Sequence, residues 1–90
     1  MLLKERHVLG EDRFVDVAIW RVPKSVSGGA HDFKYRLALV ADDVCVLRFD
    51  NEAGKGDHKH VGVQQEPRAF TTLAQLLADF RQGVEEWRPT

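Results

Sequence analysis

Ninety residues suffice for one domain with one modest core, and a chain this short buries only about 60–65% of the surface exposed when unfolded. With 43% apolar and 30% charged residues it is neither a disordered nor a membrane-embedded chain, and a formal charge of −1 excludes a protein-wide field drawing it onto nucleic acid, though not a local site for RNA. One cysteine, Cys45, excludes an intramolecular disulfide and any multi-cysteine zinc centre; its place between Val44 and Val46 marks a small buried hydrophobe.

Lys4, Glu5 and Arg6 follow Leu3 directly, so no signal-peptide apolar core forms, and no apolar run approaches the ~20 residues of a membrane helix. The expectation is a soluble, cytoplasmic protein with no membrane partner.

Residues 2–9, LLKERHVL, can add an edge strand. Residues 14–22, FVDVAIWRV, are rich in β-branched and aromatic side chains and stop at Pro23, which predicts a strand; Trp20 within it is assigned to the core. Residues 24–32 form a loop around Gly28-Gly29, and residues 33–40, FKYRLALV, form the next strand. Asp42 and Asp43 turn the chain into a strand at 44–50, and HKHVGV, residues 58–63, predicts a further short one.

After residue 72 the period changes. Leu73, Leu76, Leu77, Phe80, Val84 and Trp87 recur at helical spacing, Thr72 and Gln75 match a capping box, and Pro89 lies past the end. Gly83 weakens this helix by up to ~1 kcal/mol relative to alanine. The predicted architecture is α+β: a two-layer single domain over residues 1–90, with an antiparallel meander of 4–5 strands packed by one C-terminal amphipathic helix.

Alternation then sorts the side chains. In strand 44–50, Cys45, Leu47 and Phe49 form the row suited to the helix, which sends Arg48 and Asp50 to the other face. In the following strand Val61 and Val63 share the helix-side row, leaving His58 and His60 with Arg48 and Asp50. Phe33, Tyr35, Leu37 and Leu39 form a core row that leaves Arg36 on the same polar face. Arg36, Arg48, Asp50, His58 and His60 thus converge, provided the register holds.

Such a set admits three readings. Two histidines with arginines suit metal-free RNA cleavage, one imidazole taking the ribose 2′-hydroxyl proton and the other protonating the leaving oxygen. Arginine would stabilise charge on the phosphate and Asp50 would orient a histidine. Alternatively His58 and His60, with Asp50 or Asp57, ligate a metal, although the arginines would repel a cation. Or the stretch is a solvated hairpin keeping a sheet edge soluble, with Gly54 and Gly56 as turn residues. His7 and His31 stand apart from the set.

The segments YRLALV, VCVLRFDNEAGKGDHKHVG, EPRAFTTLAQLLADF and the closing EEW, with HVLGEDRFVDVAIWRVP before them, resemble the TumE family of toxins from bacterial type II toxin–antitoxin systems. The resemblance covers nearly the whole chain. It rests most firmly on the Arg-aromatic-Asp-Asn run followed by Gly-Asp-His-x-His. It implies a small cytosolic toxin that inhibits growth, neutralised by a cognate helix-turn-helix antitoxin, with RNA cleavage as the usual activity of such toxins. Its motif points to Arg48, Asp50, Asn51, His58 and His60. Phe49 and Arg68 stand where the family pattern often has tyrosine.

These readings combine into a metal-independent ribonuclease toxin needing no cofactor. His58, His60, Arg48 and Asp50 are the catalytic candidates; Arg36, Asn51, Lys55 and Lys59 would bind the RNA substrate, although the Asn51 side chain could equally hold the turn. A homodimer stays open. The alternatives are a non-catalytic module that binds a cellular protein, and a metal-dependent nuclease built on His-x-His.

Overall fold

The computed structural model describes residues 2–22, 33–51 and 56–88. It contains strands β1 (Leu3–Gly10), β2 (Arg13–Arg21), β3 (Phe33–Ala41), β4 (Val44–Asp50), β5 (His58–Val61) and β6 (Gln64–Pro67), followed by helix α1 (Leu73–Glu86). All six strands join one antiparallel sheet in chain order, and α1 covers one of its faces. The predicted loop with Gly28-Gly29 and His31, and Gly54, Lys55 and Pro89, lie outside the described residues.

Hairpin chemistry sets this order. Asp42 and Asp43 both take positive φ, 51° and 64°, so the β3–β4 turn carries the left-handed pair whose twist suits a tight hairpin. Gly62, at φ 58°, turns β5 into β6. That turn corrects two expectations. The strand predicted to run to residue 63 stops at Val61, and Val63 is fully exposed on the turn rather than in the core. A sixth strand follows, in which all four residues of QQEP are exposed; with no buried row to leave a periodic signal, only backbone pairing with β5 defines it.

The core lies between the sheet and α1. Val15, Val17 and Ile19 from β2, Tyr35, Leu37 and Leu39 from β3, and Leu47 and Phe49 from β4 close against Leu76 and Phe80. The Phe49 and Phe80 rings meet edge-to-face, 5.6 Å apart at 75°. Trp20 departs from its core assignment: it pairs with Lys34, on the face that α1 leaves uncovered.

Thr72 caps the helix, its Oγ1 accepting from the Gln75 N–H at 3.0 Å, an interaction of about 1 kcal/mol. The capping box is only half realised, since the Gln75 side chain donates to Asp79 instead. Gly83 has a packing role invisible in helix propensity. A Cβ there would lie 2.9 Å from Leu47 Cδ2, so glycine lets α1 settle closely onto β4. No helix among the described residues is long and apolar enough to cross a membrane.

Candidate active site

The register builds the polar cluster directly. β4 and β5 pair Arg48 with His60 and Asp50 with His58, while β3 and β4 pair Arg36 with Asp50. Residues directly opposite in a ladder project from the same face, so these five side chains share the uncovered side of the sheet. A register shift between Leu39 and Val40 disturbs only the turn end of β3–β4; from Leu39↔Leu47 onward the pairing runs unbroken to Arg36↔Asp50.

Asp50 sits at the centre, only 6% exposed. Arg48 Nε lies 2.8 Å from Asp50 Oδ2, close enough for an ion pair though not aligned as a hydrogen bond. His60 Nε2 lies 3.6 Å from the other carboxylate oxygen. Arg48 Nη2 is also 3.3 Å and 3.5 Å from the two ring nitrogens of His60, so guanidinium and carboxylate hold that imidazole between them. A carboxylate so deeply buried needs these partners, because an unpaired buried charge is strongly destabilising.

His58 is held differently. Its Nδ1 lies 3.0 Å from the Gly56 carbonyl oxygen, which can only accept, so Nδ1 carries the proton and the neutral ring keeps its lone pair on Nε2. Gly56 makes this possible with φ 73°. The two imidazole centroids are 6.4 Å apart, wide enough for a reacting group to lie between them. Among the described residues no three His, Cys, Asp or Glu side chains converge as a metal-ligand set.

The candidate binding residues separate. Asn51 is 1% exposed; its Oδ1 accepts from the Tyr35 N–H at 2.9 Å and its Nδ2 donates to the Phe33 carbonyl at 2.6 Å. Its side chain continues the β3–β4 ladder where the β4 backbone leaves it. Lys59 points to the opposite, helix-covered side, its Nζ 5.8 Å from the Phe49 ring centroid, and is not grouped with the histidines. Arg36 stays beside Asp50 on the uncovered face.

One network escaped the sequence reading. The Tyr35 hydroxyl donates to Asp57 Oδ1 at 2.5 Å, the Arg68 N–H donates to the Asp57 carbonyl at 3.0 Å, and Arg68 Nη2 donates to Asp79 Oδ2 at 2.5 Å on α1. Burial, reinforced by Asp57, pushes the Tyr35 hydroxyl's pKa far above its ordinary value. The Arg68 guanidinium also lies 4.8 Å over the Phe49 ring, so this arginine supplies both packing and an ion pair. The carboxylate of Asp57, an alternative metal ligand on sequence grounds, is taken up on the helix side of the sheet. No pattern of spacing could reveal these contacts, because the partners come from β3, the β5 entry, the β6 exit and α1.

A family model described as Toxin TumE matches residues 2–88, nearly the full chain. No significant match is found among curated proteins or among solved structures. The protein belongs to the TumE toxin family.

Proposed function

We propose that this toxin is a metal-independent endoribonuclease of a type II toxin–antitoxin system, with its active site on the uncovered face of the sheet. The observation that carries the reading is the pairing of two differently held imidazoles across Arg48 and Asp50. His58, with Nε2 left unprotonated by its bond to Gly56, takes the proton of a ribose 2′-hydroxyl. The 2′-oxygen attacks phosphorus, the bond to the 5′-oxygen breaks, and His60 gives its proton to that leaving oxygen. The products are a 2′,3′-cyclic phosphate and a free 5′-hydroxyl, the proton lost by one histidine being matched by the one gained at the other. Arg48 neutralises charge building on the phosphoryl oxygens, and Asp50 positions Arg48 and His60.

The face around this site suits a polyanion. Among its described strand residues, Lys4, Arg6, Lys34, Arg36 and Arg48 stand against only Asp16 and Asp50, although the whole chain has a formal charge of −1. Trp20 lies beside Lys34 and Arg36 and supplies a ring on which a base can stack. An antitoxin that neutralises such a toxin would cover this face.

The test is purified protein with total cellular RNA, with and without EDTA, beside His60→Ala. Cleavage that survives EDTA and disappears in the variant is the expected result. Cleavage abolished by EDTA would move His58, His60 and Asp50 into a metal site. No cleavage under any condition would leave a toxin that acts by binding a cellular protein.

A further inference from the structure

The two edges of the sheet are built differently. β6 is four residues long and ends at Pro67, which has no N–H to offer another strand. β1 is twice as long, contains no proline, and among the described residues no strand pairs with its outer side. It also leaves apolar side chains in solvent: Val8 is 75% exposed and Leu9 50%. Beside it a groove of about 510 Å³ runs between β1 and α1, floored by Val15, Val17 and Phe80.

Backbone direction limits what can add to this edge. The Leu2 N–H donates to the Ile19 carbonyl at 2.9 Å, so Ile19 turns its carbonyl toward β1. That direction alternates along an antiparallel ladder. Leu3, Glu5 and His7, paired with Ile19, Val17 and Val15, therefore direct their polar backbone groups inward, while Lys4, Arg6 and Val8 direct theirs outward. A second β1 can pair only with its own outward residues facing these.

We infer that β1 pairs antiparallel with β1 of a second copy about a two-fold axis through Arg6, joining the two sheets edge to edge. In that register Lys4 and Val8 of opposite copies exchange backbone hydrogen bonds, as do the two Arg6 residues. On the helix side Glu5 of each copy faces His7 of the other, and Leu3 faces Leu9. Glu5 Oε2 and His7 Nε2 already lie 2.6 Å apart within one chain, so the dimer closes an alternating ring of two carboxylates and two imidazoles. Leu9 of each copy extends the other's apolar groove.

Neighbouring registers fail on charge. Centring on Glu5 opposes Glu5 to itself and Lys4 to Arg6; centring on His7 opposes His7 to itself and Glu5 to Leu9. The chosen register has one like-charged pair, Arg6 with Arg6. Each of these is already held by its own Asp16, at 2.7 Å and 3.0 Å. Centred on Arg6, the strand is self-complementary, leucine meeting leucine at each end and an acid meeting an imidazole twice, which is what an isologous interface requires.

Sedimentation equilibrium of the full chain tests this. The expected mass is twice 10.2 kDa. Glu5→His and His7→Glu each place like groups opposite one another twice, and each should weaken dimerisation about tenfold. Mixing the two single variants should restore a heterodimer, since each chain then meets its complement although neither keeps its internal Glu–His pair. Circular dichroism melting should show both variants folded. A wild-type chain that stays monomeric overturns the inference, including one whose edge accepts a strand only from another protein. A dimer indifferent to both substitutions, or single variants that do not rescue each other, also overturns it.

Discussion

The Tyr35 hydroxyl donates to Asp57 Oδ1, one residue before His58, and so ties the entry of β5 to the core. Tyr35 is 2% exposed, and Asp57 accepts a hydrogen bond from its hydroxyl in a setting where water competes little. Tyr35→Phe keeps the ring but leaves that carboxylate oxygen without this donor, at a cost of about 1–3 kcal/mol. RNA cleavage should fall further than the stability loss explains, because Gly56 and His58 lose their anchor; thermal melts and initial rates on one preparation separate the effects. Wild-type activity in the variant would remove this positioning role.

The same hydroxyl predicts a pH dependence. Its pKa is raised on folding, so its contribution to stability is fully present below the ordinary tyrosine value of about 10 and is lost as pH climbs toward the higher folded value. The wild-type melting temperature should fall between pH 10 and 12 more steeply than that of Tyr35→Phe. Parallel curves would show that Tyr35 does not govern the alkaline limb.

Gly83 yields a prediction opposite to the one propensity suggests. Alanine gains about 1 kcal/mol as a helix former, but its Cβ must push Leu47, which is 3% exposed, and overpacking of this kind costs about 1–3 kcal/mol. Gly83→Ala should be neutral to destabilising alone, and stabilising relative to its parent when Leu47 is already Val. Denaturant titration of the two single variants and the double variant gives the coupling; additivity would show that Leu47 is not the obstacle.

The site was legible where alternation governs and illegible where contacts cross elements. Leu47 and Phe49 on the core side fix Arg48 and Asp50 on the other, and the hairpin then brings His58 and His60 beside them. The same parity places Trp20 outward, since Val15, Val17 and Ile19 point inward; assigning it by residue type overrode the stronger signal. By alternation Lys59 also falls opposite its histidine neighbours. Arg68 and Asp79, by contrast, meet only because the chain turns after Pro67 and the helix returns over the sheet. Asn51 was legible as a motif residue whose side chain could hold the turn, but its partners on β3, the Tyr35 N–H and the Phe33 carbonyl, were not.

That brace can be told from a substrate contact. Asn51→Ala leaves the Tyr35 N–H and Phe33 carbonyl without this partner and should cost about 2–4 kcal/mol, lowering cleavage only as far as the folded fraction falls. An Asn51→Ala protein that melts normally yet binds RNA poorly would return Asn51 to the substrate.

The division of labour between the histidines is open to a chemical test. If His60 protonates the 5′-oxygen, His60→Ala should lose roughly 10²–10⁴-fold in rate on ordinary RNA. Replacing that oxygen by sulfur makes a leaving group that departs without a proton, so the same variant should recover most of its rate on the sulfur substrate. His58→Ala should not recover, because its missing step is removal of the 2′-hydroxyl proton, which the sulfur leaves unchanged. Arg48→Lys should be impaired on both substrates, since a lysine keeps the charge but cannot span Asp50 and the phosphate with a planar fork. Recovery by His58→Ala with none by His60→Ala would exchange the two roles while leaving the site intact. Recovery by neither variant would mean that neither histidine acts as the acid, and proton delivery would then have to come from another group on the face that Asp50 organises.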